Sequence, residues 1–146
     1  MRAVVQRVSR ASVSVGGNVV GTIGEGMAVL FAAGEGDGPD QVRWMAEKVT
    51  GLRIFSDDTG KMNLSLSQVG GEMLIVSQFT LYGDCRKGKR PSYSGAASPD
   101  EACKLYTDFI AQVRNLGVEV QEGIFGAMMQ VELVNDGPVT LIIDSP

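Results

Sequence analysis

The segment MMQVELVNDGPVTLIID, Met128–Asp144, holds two runs of β-forming residues separated only by Asn-Asp-Gly-Pro. Pro has no N–H to give a sheet ladder, and Gly weakens a strand interior. The runs therefore read as two strands, MMQVELV and VTLIID, joined by a turn at Asn135–Pro138. So short a link joins antiparallel neighbours, because parallel strands need a crossover of about a dozen residues. Either Gly137-Pro138 is only this turn, or its backbone has a further role.

The same pattern recurs upstream. Met1 to Val15 alternates with β-branched residues, Gly16-Gly17-Asn18 is a hairpin signal, and VVGTIG and GMAVLFAAG follow as strands. LRIFS, EMLIVSQFTLY and VEVQEG add three more, with the long polar connection DDTGKMNLSLSQVGG between the first two. Two segments carry helical spacing instead. Pro39 opens one, with Val42, Met45, Ala46 and Val49 on one face and Gly51 as its stop. Ser98-Pro99-Asp100-Glu101 opens the other, with Ser98 as cap and Glu101 closing a capping box. Ala102, Leu105, Phe109, Ile110 and Val113 form its apolar stripe, and Gly117 ends it. Seven or eight strands and two helices predict an α+β fold: a mainly antiparallel, curved or barrel-like sheet with both helices packed on one side. No linker or repeat divides residues 1–146, so a single domain is expected.

Composition narrows the function. The 146 residues carry a net charge of −4, which argues against broad nucleic-acid binding but not against a local basic patch. There is no histidine, so no Ser-His-Asp or Cys-His catalysis can be built within the chain. Cys85 and Cys103 lack metal-ligand spacing and read as two reduced thiols, so neither a metal nor another cofactor is expected. No apolar run reaches membrane-spanning length and the start is no signal peptide, so the expected location is cytoplasmic.

Three stretches could carry chemistry. In SQFTLYGD, Ser77, Gln78 and Thr80 put polar groups at a strand end, either as functional side chains or as groups finishing the sheet's hydrogen bonds. In CRKGKRPSY, Arg86, Lys87, Lys89 and Arg90 lie beside Tyr93. That loop is either solvated or a grip for a phosphate backbone with a stacked base. At Gly137-Pro138, a cis bond would turn the two flanking carbonyls the same way and let them hold an ammonium group; a trans bond would make an ordinary turn.

These residues carry a resemblance. SQFTL at Ser77–Leu81 and NDGPVT at Asn135–Thr140 are similar to the two signature motifs of the D-aminoacyl-tRNA deacylases. MRAVVQRV, GKMNLSL, KGKRPS and FGAMMQVELV also resemble that family, so the likeness spans the chain. It implies a homodimer that hydrolyses the ester between a D-amino acid and the 3′ end of tRNA, a chiral proofreading step in translation. Glycyl-tRNA mischarged on tRNA(Ala) is an implied further substrate. The resemblance makes the Gly137-Pro138 bond cis and sends the pair into the partner subunit's active site. It places Ser77, Gln78, Phe79 and Thr80 along the pocket with Met129. Thr80 matches a residue once taken as the nucleophile, while the family view favours assistance by the 2′-hydroxyl of the terminal adenosine. Two positions depart from the family pattern: Met128 stands where its FxADM segment has an acid, and Tyr93 where Phe is common. A non-catalytic RNA-binding module using Arg86–Arg90 is the alternative, and a purely structural dimer the third reading.

Overall fold

The computed structural model describes all 146 residues. Its organising element is a long first strand, β1 (Arg2–Val15). One edge of β1 is shared: β3 (Gly26–Ala32) pairs with Arg2–Val8, and β2 (Asn18–Ile23) with Ala11–Val15. The other edge pairs with β8 (Gln130–Asp144) from Arg2 to Ser14. All three pairings are antiparallel. Beyond β3 the sheet changes character. β3 pairs parallel with β6 (Glu72–Ser77), and β6 parallel with β7 (Glu119–Glu122). A short antiparallel pair, β4 (Phe55–Ser56) and β5 (Met62–Leu64), stands apart.

The sheet is mainly antiparallel, as expected, but mixed rather than purely so. The cause is the position of the helices, each of which fills a crossover. α1 (Pro39–Thr50) lies between β3 and β6, and α2 (Pro99–Asn115) between β6 and β7. β3 and β6 also show the burial such pairing demands, apolar on both faces. Met27, Val29, Phe31, Met73 and Ile75 join Met45, Val49, Phe109 and Val113 of the helices in the larger core, where Phe31 stacks on Phe109 at 4.5 Å. Ala28, Leu74 and Val76 point the other way, against Val8, Ala11, Val13 and Ile23. That second core exists because the sheet curls on itself. At Gly21 of β2 a Cβ would lie 3.0 Å from the Glu122 carbonyl of β7, so a side chain there would crowd the barrel-like closure.

The helix starts differ from expectation in one detail. Ser98 does not cap the backbone of α2; its hydroxyl donates to the Glu101 carboxylate at 2.8 Å. No helix is long and apolar enough to cross a membrane.

Met128–Asp144 also departs from the two-strand reading. The chain does not reverse at Asn135–Pro138. It continues as one strand with a large bulge: Gln6 faces Thr140 and Val8 faces Asn135, so Arg7 alone spans four residues, Asp136–Val139. A bulge is where a strand can accommodate a Pro without losing its ladder. Asn135 Oδ1 accepts the Val139 N–H at 3.0 Å, Asn135 Nδ2 donates to Thr140 Oγ1 at 2.9 Å, and Arg7 Nε donates to the Asp136 carbonyl at 2.9 Å. Arg7 Nη1 meanwhile reaches the Ile54 carbonyl at 2.7 Å. Gly137 has φ of 135°, and a Cβ there would meet Arg7 Nη2 and Val139 Cγ2 at 2.9 Å. The Gly137-Pro138 peptide is cis. The outer edge of β8 has no partner strand in the chain.

Candidate active site

A cleft of about 790 Å³ opens at the carboxyl ends of β3 and β6. That is where parallel strands usually present a ligand site. Its lining brings together Ser77 at the end of β6, Gln78, Phe79 and Thr80 just after it, Met129 just before β8, and Tyr106 from α2. The expected strand EMLIVSQFTLY ends early, at Ser77. The Gln78 N–H still reaches the Phe31 carbonyl at 2.7 Å, but Leu81 N–H then bonds back to Gln78 and Gly83 N–H back to Thr80. Phe79–Tyr82 is thus a 3₁₀ turn, which lifts Thr80 off the sheet and onto the cleft wall. The first N–H groups of such a turn have no partner within it.

The chemistry available is narrow. Gln78 Nε2 donates to Thr80 Oγ1. One lone pair of that oxygen is therefore engaged, and its proton remains free to be donated. Apart from two tyrosines, no ionisable side chain lines the cleft. A threonine hydroxyl without an adjacent base is a poor nucleophile. The site offers hydroxyl, amide and backbone hydrogen bonds in a mostly apolar slot. No three of the chain's Cys, Asp and Glu side chains converge on one point.

Tyr106 was not among the residues that sequence reasoning selected. It continues the α2 apolar stripe, which hides its polar tip. Its hydroxyl donates to the Ile75 carbonyl at 2.9 Å, and burial pushes the phenol well above its ordinary pKa. Phe125 was also missed; it packs on Tyr106 with ring centroids 5.8 Å apart. Tyr106→Phe is expected to cost about 1 kcal/mol near neutral pH through the lost hydrogen bond. The folded pKa is raised, so the tyrosine's contribution is whole below its unfolded value of about 10 and fades as pH rises further. Denaturant titrations should show parent and variant converging above that pH; a constant gap would refute the assignment.

At the mouth, Phe79 is 57% exposed and meets Tyr93 edge-on with centroids 5.2 Å apart. Met128 is 91% exposed on the same rim. The loop Gly83–Ser92, which leads into Tyr93, is closed by paired backbone bonds between Asp84 and Ser92. Arg86 is held by the Asp84 carboxylate at 2.6 Å and draws that group's pKa down to about 2. Lys87, Lys89 and Arg90 are exposed and make no ion pair. Gly137 and Pro138 are not brought to this cleft; they stand exposed on the β8 bulge beside Arg7.

A sequence profile of the D-Tyr-tRNA(Tyr) deacylase family matches residues 4–144. The chain belongs to this deacylase family. It is accordingly a hydrolase. It is 59% identical to a D-aminoacyl-tRNA deacylase of Desulfitobacterium hafniense (strain Y51), over 99% of this chain and 97% of that one. A D-aminoacyl-tRNA deacylase of Fervidobacterium nodosum is 60% identical over the same shares. Among solved structures, one described as c-Myc DNA Unwinding Element Binding Protein superposes with a TM-score of 0.94 and 41% identity, covering 100% of this chain and 99% of its own. Another, described as a probable eukaryotic D-amino acid tRNA deacylase, gives 0.81 at 21% identity over 97% of both chains, a likeness of fold.

Proposed function

We propose that the chain hydrolyses the ester joining a D-amino acid to the 3′-terminal adenosine of tRNA, releasing the amino acid and free tRNA and sparing L-aminoacyl esters. The observation that carries this is the cleft itself, where Gln78 and Thr80 are hydrogen-bonded and no acid or base stands near. An aminoacyl ester is already activated, so a site can hydrolyse it by position and by stabilising the developing oxyanion. In this reading the Phe79 and Thr80 N–H groups face the oxyanion, the Thr80 hydroxyl donates to the reacting ester or water, and Gln78 fixes it. Ser77 closes the floor, while Phe79 and Met129 hold the adenosine end. No metal or cofactor takes part. The setting is translation in the cytoplasm, as chiral proofreading, with glycyl-tRNA(Ala) as a further substrate. D-tyrosyl-tRNA should lose its ester when incubated with the protein while L-tyrosyl-tRNA does not. Equal loss from both would overturn the reading.

The Gly137-Pro138 pair fits this only across a dimer, because it lies outside the cleft of its own chain. The unpaired edge of β8 supports such an assembly: long open edges invite a second chain. A dimer mass is expected by light scattering at micromolar concentration, and a monomer mass would remove the pair from the site.

For the tRNA body, the reading uses Arg86, Lys87, Lys89 and Arg90 as phosphate contacts. Neutralising Lys87 and Arg90 should flatten the salt dependence of binding by roughly one unit of log–log slope per lost contact. An unchanged slope would return the loop to solvent. The same loop favours the second reading, nucleic-acid binding without turnover, which predicts salt-dependent binding and intact esters.

A further inference from the structure

The Phe79–Tyr82 turn contains no buried residue, so the core does not hold it. Its start is fixed by the Gln78 bond to Phe31. Its end is fixed from outside the turn. Arg2 Nη1 donates to the Leu81 carbonyl at 3.1 Å, while Nε and Nη2 of the same guanidinium grip Asp144 at 2.7 and 3.1 Å. The guanidinium carbon also lies 5.6 Å from the centre of the Tyr82 ring. On another side Tyr82 is wedged against glycine: a Cβ at Gly34 would lie 2.6 Å from its hydroxyl, and one at Gly95 would lie 3.6 Å from its ring. One planar fork thus joins β1, the end of β8 and the turn that carries Phe79 and Thr80.

We propose that Arg2 is a positioning residue for the deacylation site, acting through Leu81 and Tyr82 to hold Phe79 and Thr80 at the cleft wall. The kinetic part of this rests on the deacylase reading; the mechanical part does not. As a stabilising ion pair Arg2–Asp144 is minor, because the two side chains are 38% and 54% exposed and such pairs contribute little. A planar guanidinium can bond carboxylate and carbonyl at once and still face a ring, which an ammonium cannot.

The test compares Arg2→Met and Arg2→Lys with the parent. Amide hydrogen exchange at Leu81 and Gly83 should quicken by about tenfold or more in Arg2→Met, while the amides of β6 and α1 keep their rates. The turnover number on D-tyrosyl-tRNA should fall about tenfold with little change in KM, and Tm should move by no more than about 4 °C. Arg2→Lys keeps the charge beside Asp144, so it should keep the parent's Tm yet still lose turnover. Unchanged exchange at Leu81 and Gly83 would overturn the proposal, as would a uniform quickening across the sheet, which marks a merely structural role. Should Arg2→Met fail to fold, Arg2→Lys decides alone. A parent inactive on D-tyrosyl-tRNA would sink the deacylase reading, and the exchange rates would still decide whether Arg2 holds the turn.

Discussion

A tRNA ending in 2′-deoxyadenosine is expected to be nearly inert, while Thr80→Ala keeps about a tenth of its activity on the ordinary ester. The difference follows from the cleft's inventory. Its lining offers no carboxylate, imidazole or amine to move a proton, and Thr80 Oγ1 already accepts a bond from Gln78. The nearest group that could assist proton transfer in this mechanism is the substrate's own vicinal hydroxyl. General acid–base assistance contributes roughly 10²–10⁴-fold, so its removal should cost about that much. Losing the Thr80 hydroxyl removes one hydrogen bond of about 1–1.5 kcal/mol, close to tenfold. Single-turnover ester loss from the two tRNAs and the two proteins separates the cases. A dead Thr80→Ala acting beside an active deoxy substrate would restore a threonine nucleophile.

Glycyl-tRNA should be hydrolysed and L-alanyl-tRNA spared, although they differ by one methyl. In the proposed dimer, the carbonyls around Gly137-Pro138 hold the α-amino group, and their crowding excludes any L side chain. A D side chain is tolerated rather than gripped, and glycine presents neither. A methyl in an apolar pocket changes binding by only about 1–3 kcal/mol, or 10- to 200-fold. Here the methyl would press on backbone that Arg7 and Asn135 tie down through the Asp136 carbonyl and the Val139 N–H. Packed, hydrogen-bonded backbone resists deformation, so the gap should reach the top of that range, about 200-fold, or exceed it. Both esters on one tRNA decide the matter. Equal rates would refute exclusion, and an inert glycyl ester would mean that the D side chain is positively recognised.

Much of the fold can be read locally. The Gly16-Gly17-Asn18 hairpin, the apolar stripes of α1 and α2 and the buried run of β3 all follow from nearest-neighbour patterns. The parallel pairings do not. They depend on where each helix returns its chain, and the clue lay in the order of elements: apolar strand, helix, apolar strand. The bulge at Asp136–Val139 was misread because Gly and Pro mark a turn and a bulge alike; only the β1 partner distinguishes them. At the site, Ser77, Gln78 and Thr80 were legible because polar groups interrupt an apolar strand. Tyr106 and Phe125 were not, since an aromatic on an apolar stripe gives no sign that a cavity lies beside it. The separation of Gly137-Pro138 from its own cleft is a tertiary fact that no local pattern contains.

The ladder between β1 and β8 joins residues as far as 142 positions apart, at Arg2 and Asp144. A chain made from its amino end therefore displays the outer edge of β1, with nothing to pair it, until Gln130–Asp144 has been made. Closure of so distant a contact is slow on topological grounds, and an open edge is the surface on which nascent chains stick to one another. The long strand that unifies the finished sheet is, on the ribosome, an open edge with which other nascent chains can pair.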